Sequence, residues 1–376
     1  MAFLVMQITG EGMTMLLQAR TATDSAAKEW VIDDDVIRLR AWQTGAILPL
    51  PPPPINECMV GASEACALRI DDPSRRVSRM HARLVRNDTK WLLRDVDSKN
   101  GVRVDGSRCS EIVLEPGLEI GIGGVTLIAE SVLSIALRGF LARLLGWGAD
   151  RADSVDHALR SIRIAAAHQA ALVLCGDGDL VPTARSIHRH SRGANRPFIV
   201  CDPRRQRGRA TVRSAASYPT GMEALAAATG GSLCVRSQRL PRDFRKVIEA
   251  LNAPSSQVQL VVCAETLDDC ALYRVMPIAI PSLADRGAEL DQIINEYAAD
   301  AMAELGTPDT GFLDADRSWI RKHAGTSLPE IEKAALRLVA LRVAPNLSNA
   351  ATRLGMAPVS LSRWIGRRQL PMPIRQ

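Results

Sequence analysis

The hydrophobic periodicity of this chain changes twice, and each change narrows what the preceding segment can fold into. From Val36 to about Ser131, apolar residues alternate in short runs such as Val36-Ile37-Arg38-Leu39-Arg40-Ala41-Trp42, Ala82-Arg83-Leu84-Val85, Lys90-Trp91-Leu92-Leu93 and Val102-Arg103-Val104. Turn-forming strings separate them: Asp71-Asp72-Pro73, Asn87-Asp88, Asp105-Gly106, Glu115-Pro116-Gly117 and Gly123-Gly124. Period two with this punctuation predicts a β-sandwich. From His157 the runs become continuous (Ala171-Leu172-Val173-Leu174, Phe198-Ile199-Val200, Ser232-Leu233-Cys234-Val235, Gln259-Leu260-Val261-Val262), with helical spacing between them. Strands that are apolar on both faces predict a parallel sheet covered by helices. From Ala284 onward the spacing is helical throughout. The expected order is a loose arm over 1–35, a sandwich over 36–131, a linker of helical character over 132–156, an α/β core over 157–283, a helical segment over 284–326 and a small all-α module over 327–376.

A length of 376 residues with 47 % hydrophobic content supplies several cores. No stretch reaches the roughly 18 uncharged apolar residues of a membrane span; Ser131–Trp147 comes nearest and is interrupted by Arg138 and Arg143. Met1–Gln18 contains Glu11 and no basic flank, so no signal peptide and no membrane partner are expected. Eight cysteines without a CxxC pair, and without histidines at ligand spacing, read as reduced thiols in a cytoplasmic protein that carries no metal or other cofactor. The net charge is +6. Lys333, Arg337, Arg342, Arg353, Arg363, Arg367, Arg368 and Arg375 stand against only Glu330 and Glu332 between Ser327 and Gln376, so the C-terminal module holds the whole excess. Such a module is the electrostatic footprint of a polyanion partner.

Within the sandwich, Ser78-Arg79-Met80-His81 and Asp97-Ser98-Lys99-Asn100-Gly101 lie in loops, where hydroxyl, amide and cationic donors suit capture of an anion. With Gly61, Asp95 and Leu114-x-Pro116-Gly117, these strings resemble the forkhead-associated (FHA) domain, a β-sandwich that reads phosphothreonine. The resemblance implies that Ser78 bonds the phosphate, Asn100 holds the backbone of the bound peptide and His81 braces the loops. One departure stands out. The family carries an arginine directly after the early glycine, whereas Gly61 is followed here by Ala62. Arg75 and Arg76, with Arg79, are expected to supply the missing charge, and the phosphopeptide set is therefore Ser78, Arg79, Asn100, Arg75, Arg76, Ser98 and His81. Binding of a protein without phosphate is the alternative that Ala62 leaves open.

The α/β segment opens with a strand leading into Cys175-Gly176-Asp177-Gly178-Asp179-Leu180-Val181-Pro182. Gly176 and Gly178 suit a phosphate-cradling loop, but no lysine follows and Pro182 lacks an N–H. Downstream strings, namely Ala184-Arg185-Ser186-Ile187-His188, Thr229-Gly230-Gly231-Ser232-Leu233, Leu240-Pro241 and Tyr273-Arg274-Val275-Met276-Pro277-Ile278 through Asp285-Arg286, resemble the NtrC-like AAA+ enhancer-binding proteins, the sigma-N-dependent bacterial activators. The resemblance implies an AAA+ P-loop core followed by a helical lid over 284–326, stripped of its catalytic residues. Arg236-Ser237 stand where the family carries Asp-Glu, Glu265 or Thr266 where it carries a sensor asparagine, and Pro329 near where it carries a sensor arginine. Nothing is left to neutralise a triphosphate or its transition state, so no ATP hydrolysis and no catalytic residue are expected. Between Val200 and Ala226, only Thr220-Gly221 echoes the loop with which these activators engage the sigma factor, so that contact is not expected. The same interval carries Arg204, Arg205, Arg207, Arg209 and Arg213, read as a solvated loop or an interaction patch.

At the C-terminus, Leu328–Val343 has helical apolar spacing, and Asn346–Met356 followed by Pro358–Ile365 reads as two short helices about a glycine turn. This layout, with Ala350-Ala351, Leu354-Gly355 and Ser360-Leu361-x-Arg363, resembles the Fis-type helix-turn-helix domain. The resemblance implies that Val359, Ser360, Ser362 and Arg363 face the DNA groove, that Arg367 and Arg368 meet phosphates, and that a homodimer or higher oligomer pairs along the Leu328–Val343 helix. The expected fold class is thus multidomain: an all-β FHA-like sandwich, an α/β AAA+-like core with a helical lid, and an all-α helix-turn-helix. The function expected is that of a transcriptional regulator that binds double-stranded DNA and takes its input from a phosphothreonine-bearing protein of a Ser/Thr kinase pathway. The rival readings are a non-DNA-binding phosphoprotein adaptor and an active sigma-N-dependent ATPase.

Overall fold

In the computed structural model the described residues are 35–370, without 89, 168, 169, 194, 212, 213, 272, 274, 308–310 and 369. The arm expected over 1–35 lies, but for Asp35, outside the described residues. The chain divides into two compact units at the Gly139–Phe140 bond.

Among the described residues, the first unit has eleven strands: β1 (Val36–Ala41), β2 (Ile47–Pro49), β3 (Glu57–Gly61), β4 (Leu68–Arg69), β5 (Ala82–Asn87), β6 (Lys90–Asp95), β7 (Val102–Val104), β8 (Ser107–Cys109), β9 (Glu111–Val113), β10 (Glu119–Ile122) and β11 (Val125–Ser131). They form two sheets, in the orders β2-β1-β11-β10-β7-β8 and β4-β3-β5-β6-β9. Pairing is antiparallel except between β3 and β4. Alternation of apolar and polar residues puts Leu39, Ile120 and Leu127 of one sheet, and Val60, Leu84 and Leu93 of the other, into a shared core with no solvent exposure. The hairpin β5–β6 pairs Ala82 with Asp95 through Asn87 with Lys90. That register places the loop before Ala82 beside the loop after Asp95, which is how two strings distant in sequence become neighbours.

Helix α1 (Val132–Leu145) carries the boundary, and α2 (Ala152–Ala167) follows it. The second unit centres on β12 (Leu172–Cys175), β13 (Phe198–Cys201), β14 (Ala216–Tyr218), β15 (Ser232–Arg236), β16 (Gln259–Ala264) and β17 (Ile278–Ala279). All are parallel, in the order β14-β13-β15-β16-β12-β17. Connecting helices are α3 (Val181–Arg192), α4 (Gly221–Ala227), α5 (Phe244–Leu251) and α6 (Leu267–Ala271). One face of the sheet buries Val173, Leu233, Val235, Leu260 and Val262 against Ala224 of α4 and Phe244, Val247 and Ile248 of α5. On alternate positions, Ser232 receives His188 from α3 (Nδ1 to Oγ, 2.8 Å). Sequence reading found four of these six strands. β14 and β17 escaped it because three and two residues carry too little periodicity, and β17 follows Pro277.

The chain closes with α7 (Leu290–Glu304), α8 (Asp314–His323), α9 (Leu328–Val343), α10 (Leu347–Arg353) and α11 (Pro358–Gly366). Helix α9 begins and ends where its periodicity placed it, with Ser327 capping Glu330 N–H and Pro329 in the first turn. The dimer seam expected along α9 is corrected by the packing. Ile331, Ala335, Leu338, Val339 and Ala340 have no exposure, because α7, α8 and α10 of the same chain cover them. Among the described residues, no single helix is long and apolar enough to cross a membrane. All eight cysteines are free thiols, and all but Cys109 are buried.

Candidate functional site

The sandwich loops converge on His81. Its ring is fully buried, Nδ1 accepts from Ser78 N–H at 3.0 Å and Nε2 lies 3.1 Å from the Gly101 carbonyl. An acceptor at Nδ1 and a carbonyl at Nε2 put the ring proton on Nε2. One imidazole therefore ties the 78–81 loop to the 98–101 turn. Ser98 is also interior, at 4 % exposure. Its Oγ accepts from Gly101 N–H at 3.0 Å and its N–H donates to Asp95 at 3.2 Å. Ser98 thus shapes the turn and presents nothing to a ligand.

Ser78 and Asn100 sit at the rim. Ser78 Oγ accepts from Lys99 N–H at 3.2 Å, and Asn100 Nδ2 donates to the Arg76 carbonyl at 2.7 Å. The loop that carries Arg75 and Arg76 is clamped by Asp72, whose carboxylate accepts from Ser74, Arg76 and Val77 N–H at 3.0, 2.7 and 2.8 Å. Against the burial that would raise it, those bonds hold the Asp72 carboxyl below its usual range. Arg75, Arg76, Arg79 and Lys99 are all exposed, so the rim is ringed by cations. Lys99 was missed as a site residue; its place inside the Asp97–Gly101 string was the available signal.

The departure at position 62 also has a place. Gly61 lies so close to the neighbouring loop that an added Cβ would collide with the Arg79 carbonyl. The next residues pair with that loop, Ala62 N–H donating to Ser78 O and Ser63 N–H to Arg79 O, each at 3.0 Å. A side chain at 62 therefore starts one backbone hydrogen bond from Ser78, and the methyl of Ala62 packs half-buried against the core.

The FHA domain family model matches residues 58–123. Residues 58–123 are an FHA domain. Similar solved structures include Mycobacterium tuberculosis EmbR in complex with a low affinity phosphopeptide, 27 % identical over 25 % of this chain and 25 % of that one, with a TM-score of 0.22. The Slr1951 protein from Synechocystis is 26 % identical over 25 % of this chain and 94 % of that chain, with a TM-score of 0.22. The N-terminal FHA domain of S. cerevisiae Rad53p, in complex with a phosphothreonine peptide, is 22 % identical over 25 % of this chain and 90 % of that chain, with a TM-score of 0.22. No curated protein matches the chain.

In the second unit, the carboxyl ends of β12, β13, β15 and β16 border a cavity of about 280 Å³ lined by Gly178, Asp179, Arg205, Arg236, Arg239 and Glu265. In open α/β sheets this edge is where ligands settle. Gly176 N–H donates to the Ala264 carbonyl at 3.2 Å, and Gly178 lies on the cavity wall. The anion-attracting start of α3 is already supplied with an anion. Asp179 Oδ1 accepts from Val181 N–H at 3.3 Å, and both of its oxygens accept from Arg236 Nη2, at 2.9 and 3.1 Å. Arg236 Nη1 also donates to the buried Asp202 at 3.1 Å. Although burial lowers it, the two aspartates raise the Arg236 guanidinium above its ordinary value. Arg236 thus closes this edge with an internal ion-pair network. The Thr220-Gly221 pair opens α4, where Gly221 and Met222 N–H donate to Asp243 at 2.9 Å each, so it is not the tip of a protruding loop.

At the C-terminus, Asn346 caps α10 through Asn349 N–H at 2.9 Å, Gly355 takes a positive φ of 61° in the turn, and Pro358 starts α11. Leu361 is fully buried, and Trp364 is packed edge-on to Trp319 with ring centroids 5.7 Å apart. Val359, Ser360, Ser362 and Arg363 are exposed on the outer face of α11, and Arg367, at its C-cap, is exposed as well. Arg368 is set apart from them: its guanidinium stacks 5.2 Å from the Trp364 ring, where it supports the core rather than the outer face.

Proposed function

We propose that this protein is a DNA-binding transcriptional regulator in which an FHA domain receives a phosphothreonine-bearing protein and a catalytically inactive AAA+-like unit serves as scaffold. The observation that carries the DNA-binding reading is α11. Its core residues Leu361 and Trp364 are spent inside the chain, while Val359, Ser360, Ser362, Arg363 and Arg367 stand outward in the segment that holds the whole net positive charge. Two short helices about a glycine turn, the second opening on proline, suit a helix-turn-helix whose second helix enters the major groove.

Support for the FHA input comes from Ser78 and Asn100 at a rim of exposed cations, with His81 and Ser98 locking the loops beneath them. The scaffold reading is supported by the parallel sheet order and by the Asp179–Arg236–Asp202 network. A helix start already met by its own carboxylate, a loop without lysine, and an arginine where a metal-orienting acid belongs leave the arrangement that holds a triphosphate and its magnesium unassembled at this edge.

Sequencing of DNA crosslinked to the protein, followed by duplex-binding titration, tests the reading. Salt-sensitive binding that is lost in Arg363→Ala/Arg367→Ala supports it. Wild-type DNA binding by that variant would point to the adaptor, whose FHA loops need no DNA. ATP hydrolysis above background, lost on substitution at the β12 loop, would overturn the scaffold assignment.

A further inference from the structure

We propose that the arginine-bearing hairpin between β13 and β14 is a second contact for double-stranded DNA, meeting phosphates beside the segment read by α11. The proposal rests on the DNA-binding reading above. Between residues 202 and 218 the sequence carries five arginines and one aspartate. That aspartate, Asp202, is fully buried; it pairs with Arg236 at 3.1 Å and, within the hairpin, with Arg205 at 3.5 Å, so of the hairpin's arginines it offsets Arg205. Arg204, Arg205, Arg207 and Arg209 are exposed.

The described residues of the hairpin are tied together by hydrogen bonds and a stacked side chain. Gly208 and Ser217 exchange backbone hydrogen bonds at 2.9 and 3.0 Å, and Arg207 stacks on Tyr218 with its guanidinium 4.8 Å from the ring centre. At the tip, Thr211 N–H donates to Ser214 O at 2.8 Å, while Arg185 of α3 donates to the Thr211 carbonyl at 3.3 Å. The outer side of that tip meets the turn before α11: a methyl built on Gly355 would lie 3.1 Å from the Thr211 Cβ.

This contact brings two surfaces of one sign together. From Asn346 to Leu370 there are four arginines and no acidic residue. Packing an arginine hairpin against the turn of such a segment costs self-repulsion, which a polyanion spanning both would relieve. Duplex DNA, with one phosphate per ~1.7 Å of axis, presents such an array to a surface wider than a single helix.

The test uses the full chain, a labelled mixed-sequence duplex and fluorescence anisotropy over roughly 50 to 200 mM salt. Arg204→Gln/Arg209→Gln removes two exposed cations; because neither side chain donates a hydrogen bond to the described residues of the hairpin, its thermal melt should match wild type. The slope of log affinity against log salt is expected to fall in magnitude by about 1.8, at about 0.9 per phosphate contact, and to be kept by Arg204→Lys/Arg209→Lys. A wild-type slope in the glutamine variant, with binding still lost in Arg363→Ala/Arg367→Ala, would overturn the hairpin contact and leave the α11 reading standing. Absence of salt-dependent duplex binding by the wild-type chain would overturn both.

Discussion

Asp202, without solvent exposure at the end of β13, is neutralised by Arg236 at 3.1 Å, and the same guanidinium holds Asp179 at the start of α3. Arg236 is the nearest of three arginines around Asp202, with Arg205 at 3.5 Å and Arg239 at 3.9 Å, and breaking such a buried pair costs up to about 3–5 kcal/mol. Arg236→Ala is therefore expected to lower stability by that order in chemical denaturation. Asp202→Asn in the same background should restore part of the loss, because the orphaned charge goes with it. A variant as stable as wild type would mean that the network contributes nothing.

Ala62 stands one backbone hydrogen bond from Ser78. Ala62→Arg is expected to tighten binding of a phosphothreonine peptide by about tenfold or more, since a charge-assisted hydrogen bond contributes about 1.5–3 kcal/mol. Titration calorimetry with phosphorylated and unphosphorylated peptides checks this. Ser78→Ala should weaken the phosphorylated arm alone; equal binding of both peptides by all three proteins would remove phosphate from the account.

His188 is enclosed by Ser232 Oγ at 2.8 Å and the Arg196 carbonyl at 3.1 Å, and burial pushes its imidazole down from 6.5 to about 4. The unfolded chain thus takes up the proton first. Stability from this group is complete above about pH 6.5 and is lost as pH falls toward about 4. The full effect is roughly 3 kcal/mol, at 1.36 kcal/mol per pKa unit. Denaturant melts at several pH values should show a shallower acid loss in His188→Gln than in wild type.

Arg286, at 5 % exposure, ends α1 by donating to the Leu144 and Arg143 carbonyls at 2.7 and 2.9 Å while pairing with Glu289 at 2.7 Å. It is the arginine of the Asp285-Arg286 string, and its work here is to cap a helix. Arg286→Lys is expected to cost about 3 kcal/mol, because an ammonium cannot span three acceptors in the guanidinium's plane. A loss under about 1 kcal/mol in thermal melts would contradict the capping role.

Periodicity was enough for the elements that bury whole faces. β1, β13 and β15 and both ends of α9 fall where alternation, continuous apolar runs or 3.6-residue spacing put them, because each is long enough, or apolar enough, to show its pattern. β14 and β17 are too short to repeat anything, and only neighbouring strands define them. The FHA strings were equally legible, since loop chemistry there is carried by residue type: serine, asparagine and arginine at fixed spacing from a turn.

What the sequence determined alone was the order of a sandwich, a parallel α/β unit and a helical end, the concentration of charge at the C-terminus, the absence of a lysine from the loop after β12, and Arg236-Ser237 in place of an acid pair after β15. Only the tertiary structure decided that Ser98 and His81 face inward while Ser78 and Asn100 reach the rim, that α9 is consumed within its own chain, and that Arg236 answers Asp179 and Asp202. The physical reason is the same in each case. Local spacing dictates which face of an element is apolar, whereas the partner of a charge or the cover over a face is chosen by residues tens of positions away, brought near by strand order.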